Sequence, residues 1–210
     1  DYFKETYGRE TRFIPNGVNR PSIRKAKLIT EQYGLTKDSY ILFLGRVVPE
    51  KGIRYLVEAF KDVKTDKKLI IAGGSSDAAS YRKEVKELEK VDDGITFRGV
   101  VQEQLLDELY SNSYIYTLPS DLEGMPLSLL EAMSYGNCCL VSNIPECAEV
   151  VEDKAVIFEK ANVDDLREKL QSLCDHPEKV AEYKSQAANF ICKKYNWDEV
   201  VKRTVELYGR

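Results

Sequence analysis

The chain has 210 residues, 43% of them hydrophobic, which is enough to bury one substantial core and makes a single domain the default expectation. Its 31 Lys and Arg nearly balance its 35 Asp and Glu, so the net charge is −4 and no global positive field favours nucleic acid or an anionic membrane; any anion site must be local. No apolar run approaches the roughly 18 to 20 residues that span a bilayer, and no secretory leader pattern stands at the start. The five cysteines are odd in number and follow no metal spacing, which suggests reduced thiols and a soluble, cytoplasmic protein.

In chain order, short apolar runs predict strands at Ile41 to Leu44, Leu69 to Ala72, Ile95 to Arg98, Tyr114 to Leu118, Cys138 to Ser142 and Val156 to Phe158. Helical patterns lie between them at about Gly52 to Phe60, Ala78 to Glu89, Gln102 to Ser111 and Pro126 to Tyr135. This alternation predicts an α/β fold: a doubly wound, Rossmann-like parallel sheet of about six strands with helices on both faces. Three further helices, Val163 to Cys174, Pro177 to Lys194 and Trp197 to Tyr208, follow without a strand among them and form a helical C-terminal tail. Ligands of such sheets gather at the carboxyl ends of the strands.

The strand ends are therefore where chemistry is expected. After the first strand, Phe43 to Gly52 (FLGRVVPEKG) places Arg46 and Lys51 in one loop, with Gly45 and Gly52 giving the backbone room and a helix behind. Two cations beside a helix start suit a diphosphate; alone, they are equally a pair of solvated charges. The second end, Ala72 to Ser75, is a tight glycine turn, and the third, Phe97 to Val101, is ordinary for a strand end. The fourth is the most informative: in Ser120 to Gly136 (SDLEGMPLSLLEAMSYG), Glu123 stands eight residues before Glu131 across a Gly-Met-Pro turn that opens a helix, with Pro126 suited to the first helical position. Backbone N–H groups from about Met125 to Ser128 would face the space beyond the strand. Two carboxylates so placed suit different hydroxyls of one extended ligand, although each alone reads as a solvated acid.

Other chemistries lack their residues. The single histidine, His176, sits at a helix boundary before Pro177, which argues against a Ser-His-Asp hydrolase or a histidine metal site. Neither Gly-x-Gly-x-x-Gly after the first strand nor Gly-x4-Gly-Lys-Ser/Thr is present. Tyr114 and Tyr116 read as core residues rather than a base-stacking platform.

Taken in order, IPNGV (Ile14 to Val18), LGRVVPEKG (Leu44 to Gly52), LIIAGG (Leu69 to Gly74), ITFRGVV (Ile95 to Val101) and Glu-x7-Glu (Glu123 to Glu131) resemble the retaining nucleotide-sugar glycosyltransferases of family four. The resemblance runs from about Ile14 to Val151 and is to the C-terminal, donor-binding domain, one half of a GT-B fold. It implies that Arg46 and Lys51 hold the donor diphosphate and stabilise the leaving group, with no metal and no cofactor beyond the sugar nucleotide itself. It implies that Glu131 accepts hydrogen bonds from the ribose, and that Glu123 lies near the sugar, as nucleophile or as a binding and electrostatic group. Gly45, Gly124, Met125, Pro126 and Leu127 would surround sugar and phosphate, with the N–H groups of Gly124, Met125 and Leu127 as donors. Asn16 and Gly17 match the hinge turn, and Val100 or Val101 the face toward the base.

The resemblance also divides the chain: residues 1–15 as a crossover from an absent N-terminal acceptor domain, 16–195 as the donor-binding domain, and 196–210 as a helix packing toward the absent part. A start at Asp1 without methionine fits a fragment of a longer polypeptide as well as a processed one. Because the family builds its active site between two domains, the resemblance implies a piece that binds donor without transferring sugar, with any peripheral membrane contact made through the absent domain and no nucleic acid as partner. The family often carries two glycines where Asn143 and Ile144 stand here, which puts that loop apart from the pattern. The alternatives are a non-catalytic nucleotide-sugar binding module and another GT-B enzyme, such as a sugar epimerase or a phosphorylase.

Overall fold

The computed structural model describes residues 2–74, 84, 87, 88, 90 and 93–208. Strands β1 (Tyr40–Leu44), β2 (Lys68–Ala72), β3 (Ile95–Phe97), β4 (Ile115–Leu118), β5 (Cys138–Ser142) and β6 (Val156–Phe158) form one sheet in the order β3-β2-β1-β4-β5-β6, every neighbouring pair parallel. The central strands are buried along almost their whole length, as expected of apolar runs covered on both faces. The doubly wound expectation from the sequence is met. Because the order reverses between β1 and β4, right-handed crossovers fall on opposite faces of the sheet.

Helices α1 (Tyr2–Tyr7), α2 (Leu28–Tyr33), α3 (Ile53–Phe60), α4 (Glu103–Asn112), α5 (Leu127–Ser134), α6 (Pro145–Val151), α7 (Val163–Asp175), α8 (Pro177–Lys194) and α9 (Trp197–Tyr208), with a single 3-10 turn at Pro49–Lys51, complete the described elements. The helix expected over Ala78 to Glu89 lies outside the described residues. In the tail, α7 packs on α3 and α8 on α5, so the helices after Val163 clasp both faces of the sheet. Among the described residues no helix is long and apolar enough to cross a membrane.

Helices α2 and α6 were not anticipated, nor was the 3-10 turn at Pro49–Lys51. Helix α2 begins after Lys27, which offers no side-chain cap; the buried Glu108 of α4 supplies one instead, accepting from the N–H groups of Lys27 (2.9 Å) and Ile29 (3.1 Å) and from the Gln104 amide (2.8 Å). Burial pushes the Glu108 pKa up, but these hydrogen bonds outweigh it and hold the carboxyl below its ordinary range. Helix α6 occupies what read as a strand-end loop, with Pro145 in its first turn and Ile144 buried just before it. The Asn143 side chain takes the Lys160 N–H at 2.9 Å, so the departure from two glycines leaves an ordered loop.

One boundary is corrected. Pro126, expected as the first helical residue, stands just before α5 with ψ of 80°, and its carbonyl accepts from Leu129 (3.0 Å) and Leu130 (3.2 Å). The Leu127 N–H turns back onto Met125 O at 2.9 Å, a tight turn that shifts the helix start by one residue.

Two glycines draw the strand-end loops together. A Cβ on Gly73 (φ +145°) would lie 1.7 Å from Gly45 O, and one on Gly52 (φ +64°) would lie 1.9 Å from Pro119 O. Gly34 has the same φ of +64° with open space around it. Gly34→Ala is expected to cost about 1 kcal/mol in urea unfolding, the strain of the backbone alone, and Gly52→Ala about 2 kcal/mol more. Equal losses would show that the approach of Gly52 to Pro119 is no constraint.

Candidate active site

Strands β1 and β4 lie side by side, Ile41 beside Ile115 and Leu42 beside Tyr116, at the point where the sheet reverses its order. The loops that leave their carboxyl ends therefore flank one crevice. These are residues 45–52 after β1 and 119–126 after β4, and they are tied to each other by backbone and side chain. The Asp121 N–H donates to Glu50 O (2.8 Å), Tyr55 OH donates to Asp121 Oδ2 (3.2 Å), and Gly52 packs on Pro119.

At the centre, Lys51 Nζ lies 2.5 Å from Glu123 Oε1, with the two side chains only 13% and 5% exposed. Ser120 Oγ donates to the same oxygen at 2.6 Å, and Ser142 Oγ fixes the Ser120 carbonyl at 2.6 Å. Glu123 is thus a buried, paired carboxylate rather than a solvated loop acid. Both bonds fall on Oε1, and no described residue hydrogen-bonds Oε2. An ammonium has three N–H donors, so two on Lys51 are left for a ligand.

Arg46 is exposed on the same loop, and among the described residues no hydrogen bond or ion pair engages its guanidinium. Its position is set by the backbone around it: Gly45 N–H donates to Ala72 O (3.0 Å) and Val47 N–H to Gly74 O (2.7 Å), which stitch the loop to the end of β2. Gly45 serves close packing, its carbonyl against Gly73, and its N–H is already used. The N–H groups of Gly124 and Met125 in the second loop, and of Ser128 in the first turn of α5, have no partner among the described residues. The Leu127 N–H, expected as a donor, is taken by Met125 O, which corrects that expectation. Met125 Sδ accepts the Asn16 N–H at 3.2 Å.

Glu131, on α5, lines a pocket of about 420 Å³ together with Asn16, Gly17, Leu127, Tyr110 and Trp197. Gly17 is packed so closely on Trp197 that a Cβ there would lie 2.6 Å from the indole ring. Although the Glu131 side chain meets solvent at the pocket mouth, the walls remove enough water to raise its pKa, an effect opposed by the hydrogen bond from Tyr110 OH to Oε2 (3.1 Å). Arg46, Lys51 and Glu123 are not part of that lining. Val100 is exposed and Val101 half-buried at the end of β3. Sequence reasoning did not single out Ser120, Tyr110 or Trp197 for the site. Tyr110 and Trp197 act through partners remote in sequence, which residue spacing does not reveal, whereas Ser120 lies only three residues before Glu123 and could have been read as its hydroxyl partner.

Two cations in the loop after β1 and, among the described residues, three N–H groups after β4 without a partner and a Glu131 carboxylate that no cation engages suit an anionic, hydroxyl-bearing ligand. Residues 26–203 match the family described as glycosyl transferases group 1. The chain belongs to the group 1 glycosyl transferases. It is 27% identical over 186 residues to O-antigen chain mannosyltransferase B of Escherichia coli, covering 86% of this chain and 48% of that one. Among solved structures it is similar to sucrose-phosphate synthase from Thermosynechococcus elongatus, with a TM-score of 0.84 and 23% identity over 99% of this chain and 54% of that one. It is also similar to HepE from Anabaena in complex with UDP and glucose, with a TM-score of 0.79 and 16% identity over 87% of this chain and 51% of that one. Both likenesses are of fold. The chain spans about half the length of the curated relatives it matches.

In this group 1 glycosyl transferase, the Lys51–Glu123 pair is a structural commitment as well as a chemical one. Lys51→Met leaves the Glu123 carboxylate buried with only Ser120 as partner, and is expected to cost about 3 kcal/mol in urea unfolding at neutral pH. Adding Glu123→Gln is expected to recover most of that loss. A single variant as stable as the parent would show that the pair does not hold the two loops.

Proposed function

We propose that this chain is the donor-binding half of a retaining glycosyltransferase, a hexosyltransferase that moves a sugar from a nucleoside diphosphate to an acceptor. The observation that carries the reading is the juxtaposition, at the β1/β4 reversal, of an unpaired Arg46 with a Lys51 that keeps two donors free. In this reading the diphosphate lies on Arg46 and Lys51, supplemented by the N–H groups of Gly124 and Met125, and the ribose hydroxyls donate to Glu131. The sugar sits over Gly124 to Leu127, beside Glu123.

Cleavage of the bond from the anomeric carbon to the phosphate oxygen develops negative charge on the leaving diphosphate. Lys51, already held by Glu123, and Arg46, whose guanidinium is free to close on the diphosphate, supply the neutralisation, and no metal is required. Lys51 and Ser120 both draw on Glu123 Oε1, which weakens the carboxylate as a nucleophile and favours a role in binding and in countering positive charge at the anomeric carbon. The acceptor hydroxyl then forms its bond to carbon on the face the phosphate leaves, and passes its proton to the departing phosphate oxygen, which retains configuration.

The names of the relatives support this reading: a mannosyltransferase among the curated proteins, and a structural neighbour holding UDP and glucose. Residues 1–15 are proposed as the crossover from an N-terminal acceptor domain of the same polypeptide, 16–195 as the donor domain and 196–210 as the helix returning toward that partner, with the whole in the cytoplasm.

Calorimetric titration with UDP, GDP and ADP tests the proposal. One of the three is expected to bind; Arg46→Ala should weaken it about tenfold or more without changing the unfolding midpoint, Glu131→Ala should weaken it as well, and EDTA should leave it unchanged. Binding that is indifferent to Arg46→Ala, or no binding at all, would contradict it.

A further inference from the structure

Tyr110 lies in α4, fully buried, and its hydroxyl has two acceptors within reach, both on α5: Glu131 Oε2 at 3.1 Å and Ser128 O at 3.3 Å. The ring has little freedom. It stacks on Tyr135, with centroids 5.1 Å apart and planes 18° apart, and lies 6.0 Å from the Tyr116 ring. Tyr135 is itself held by the Asp107 carboxylate. Ser128 is fixed in turn, because Tyr116 OH bonds both its Oγ (2.8 Å) and Leu44 O (3.2 Å), the last residue of β1 before Gly45 and Arg46. Tyr116 thus ties the end of β1 to Ser128, and the single Tyr110 hydroxyl proton, shared between two acceptors, lies nearer the Glu131 carboxylate than the Ser128 carbonyl.

Left to itself, a carboxylate at a pocket mouth rotates freely and loses that freedom on binding. Here one oxygen is already held. We infer that Tyr110 is a positioning residue, whose buried hydroxyl fixes Glu131 through Oε2 so that the carboxylate receives the vicinal ribose hydroxyls, and that it thereby sets the preference for ribo- over 2′-deoxyribonucleotides. The inference rests on the ribose role proposed above for Glu131. Burial drives the Tyr110 pKa upward, which keeps the hydroxyl protonated as a donor at neutral pH.

The test compares UDP, GDP and ADP with their 2′-deoxy counterparts by calorimetry, in the parent chain and in Tyr110→Phe. The substitution keeps the stacked ring and its volume, so the fold is retained and thermal unfolding verifies it. The parent should prefer the ribonucleotide about tenfold or more, and Tyr110→Phe should reduce that preference about fivefold, leaving the 2′-deoxy affinity within about twofold of the parent. If Tyr110→Phe weakens both sugars equally, or neither, the tyrosine serves packing only and the inference fails while the ribose role of Glu131 stands. If the parent shows no preference, the ribose role fails, and the inference with it.

Discussion

The ammonium–carboxylate pair of Lys51 and Glu123 is the constraint on which the rest of the site depends. It joins loops that leave adjacent strands but lie 72 residues apart in sequence, and it does so with both side chains largely withdrawn from water. Such a pair contributes little net stability against an apolar substitute, but either partner alone is costly, so the geometry is all or none. The glycines follow from it: Gly52 and Gly73 let backbones approach where any side chain would force the loops apart. The backbone bonds of Asp121 to Glu50 and of Val47 to Gly74 then hold the cation loop from both sides.

The two carboxylates of the Glu-x7-Glu segment end in opposite circumstances. Glu123 is neutralised by a cation and a hydroxyl on one oxygen. Glu131 has no cation among its hydrogen-bond partners; burial raises its pKa, and one tyrosine hydroxyl offsets part of that penalty. A group at such a disadvantage gains most from any further hydrogen-bond donor, whereas Glu123 already has one oxygen engaged by both Lys51 and Ser120. Environment, more than residue type, separates what two identical side chains can do.

Much of this was legible in the sequence because it depended on local pattern. Strands β5 and β6 and helices α8 and α9 have the expected ends, since unbroken apolar runs and the Pro177 start leave little choice. The cation loop and the Glu-x7-Glu turn were legible for the same reason, as residue types at fixed spacing beyond a strand. What escaped was set by distant partners. Helix α2 starts because Glu108, some 80 residues away, caps it. The pairing of Lys51 with Glu123, the hold of Tyr110 on Glu131 and the contact of Gly17 with Trp197 are products of the assembled sheet and tail. Helix α6 was missed for a different reason: Pro145 and Glu146 carry a first-turn signal, but seven residues give too short a period to stand out from a loop.

The central claim is that the crevice at the β1/β4 reversal holds a sugar nucleotide with its diphosphate between Arg46 and Lys51. A crystal structure of the chain with an intact nucleoside diphosphate sugar tests it most directly. Phosphate oxygens are expected within hydrogen-bond distance of the Arg46 guanidinium and Lys51 Nζ, with Lys51 still bonded to Glu123 and the ribose on Glu131. A nucleotide bound elsewhere, with Arg46 still in solvent and Lys51 bonded to Glu123 alone, would contradict it.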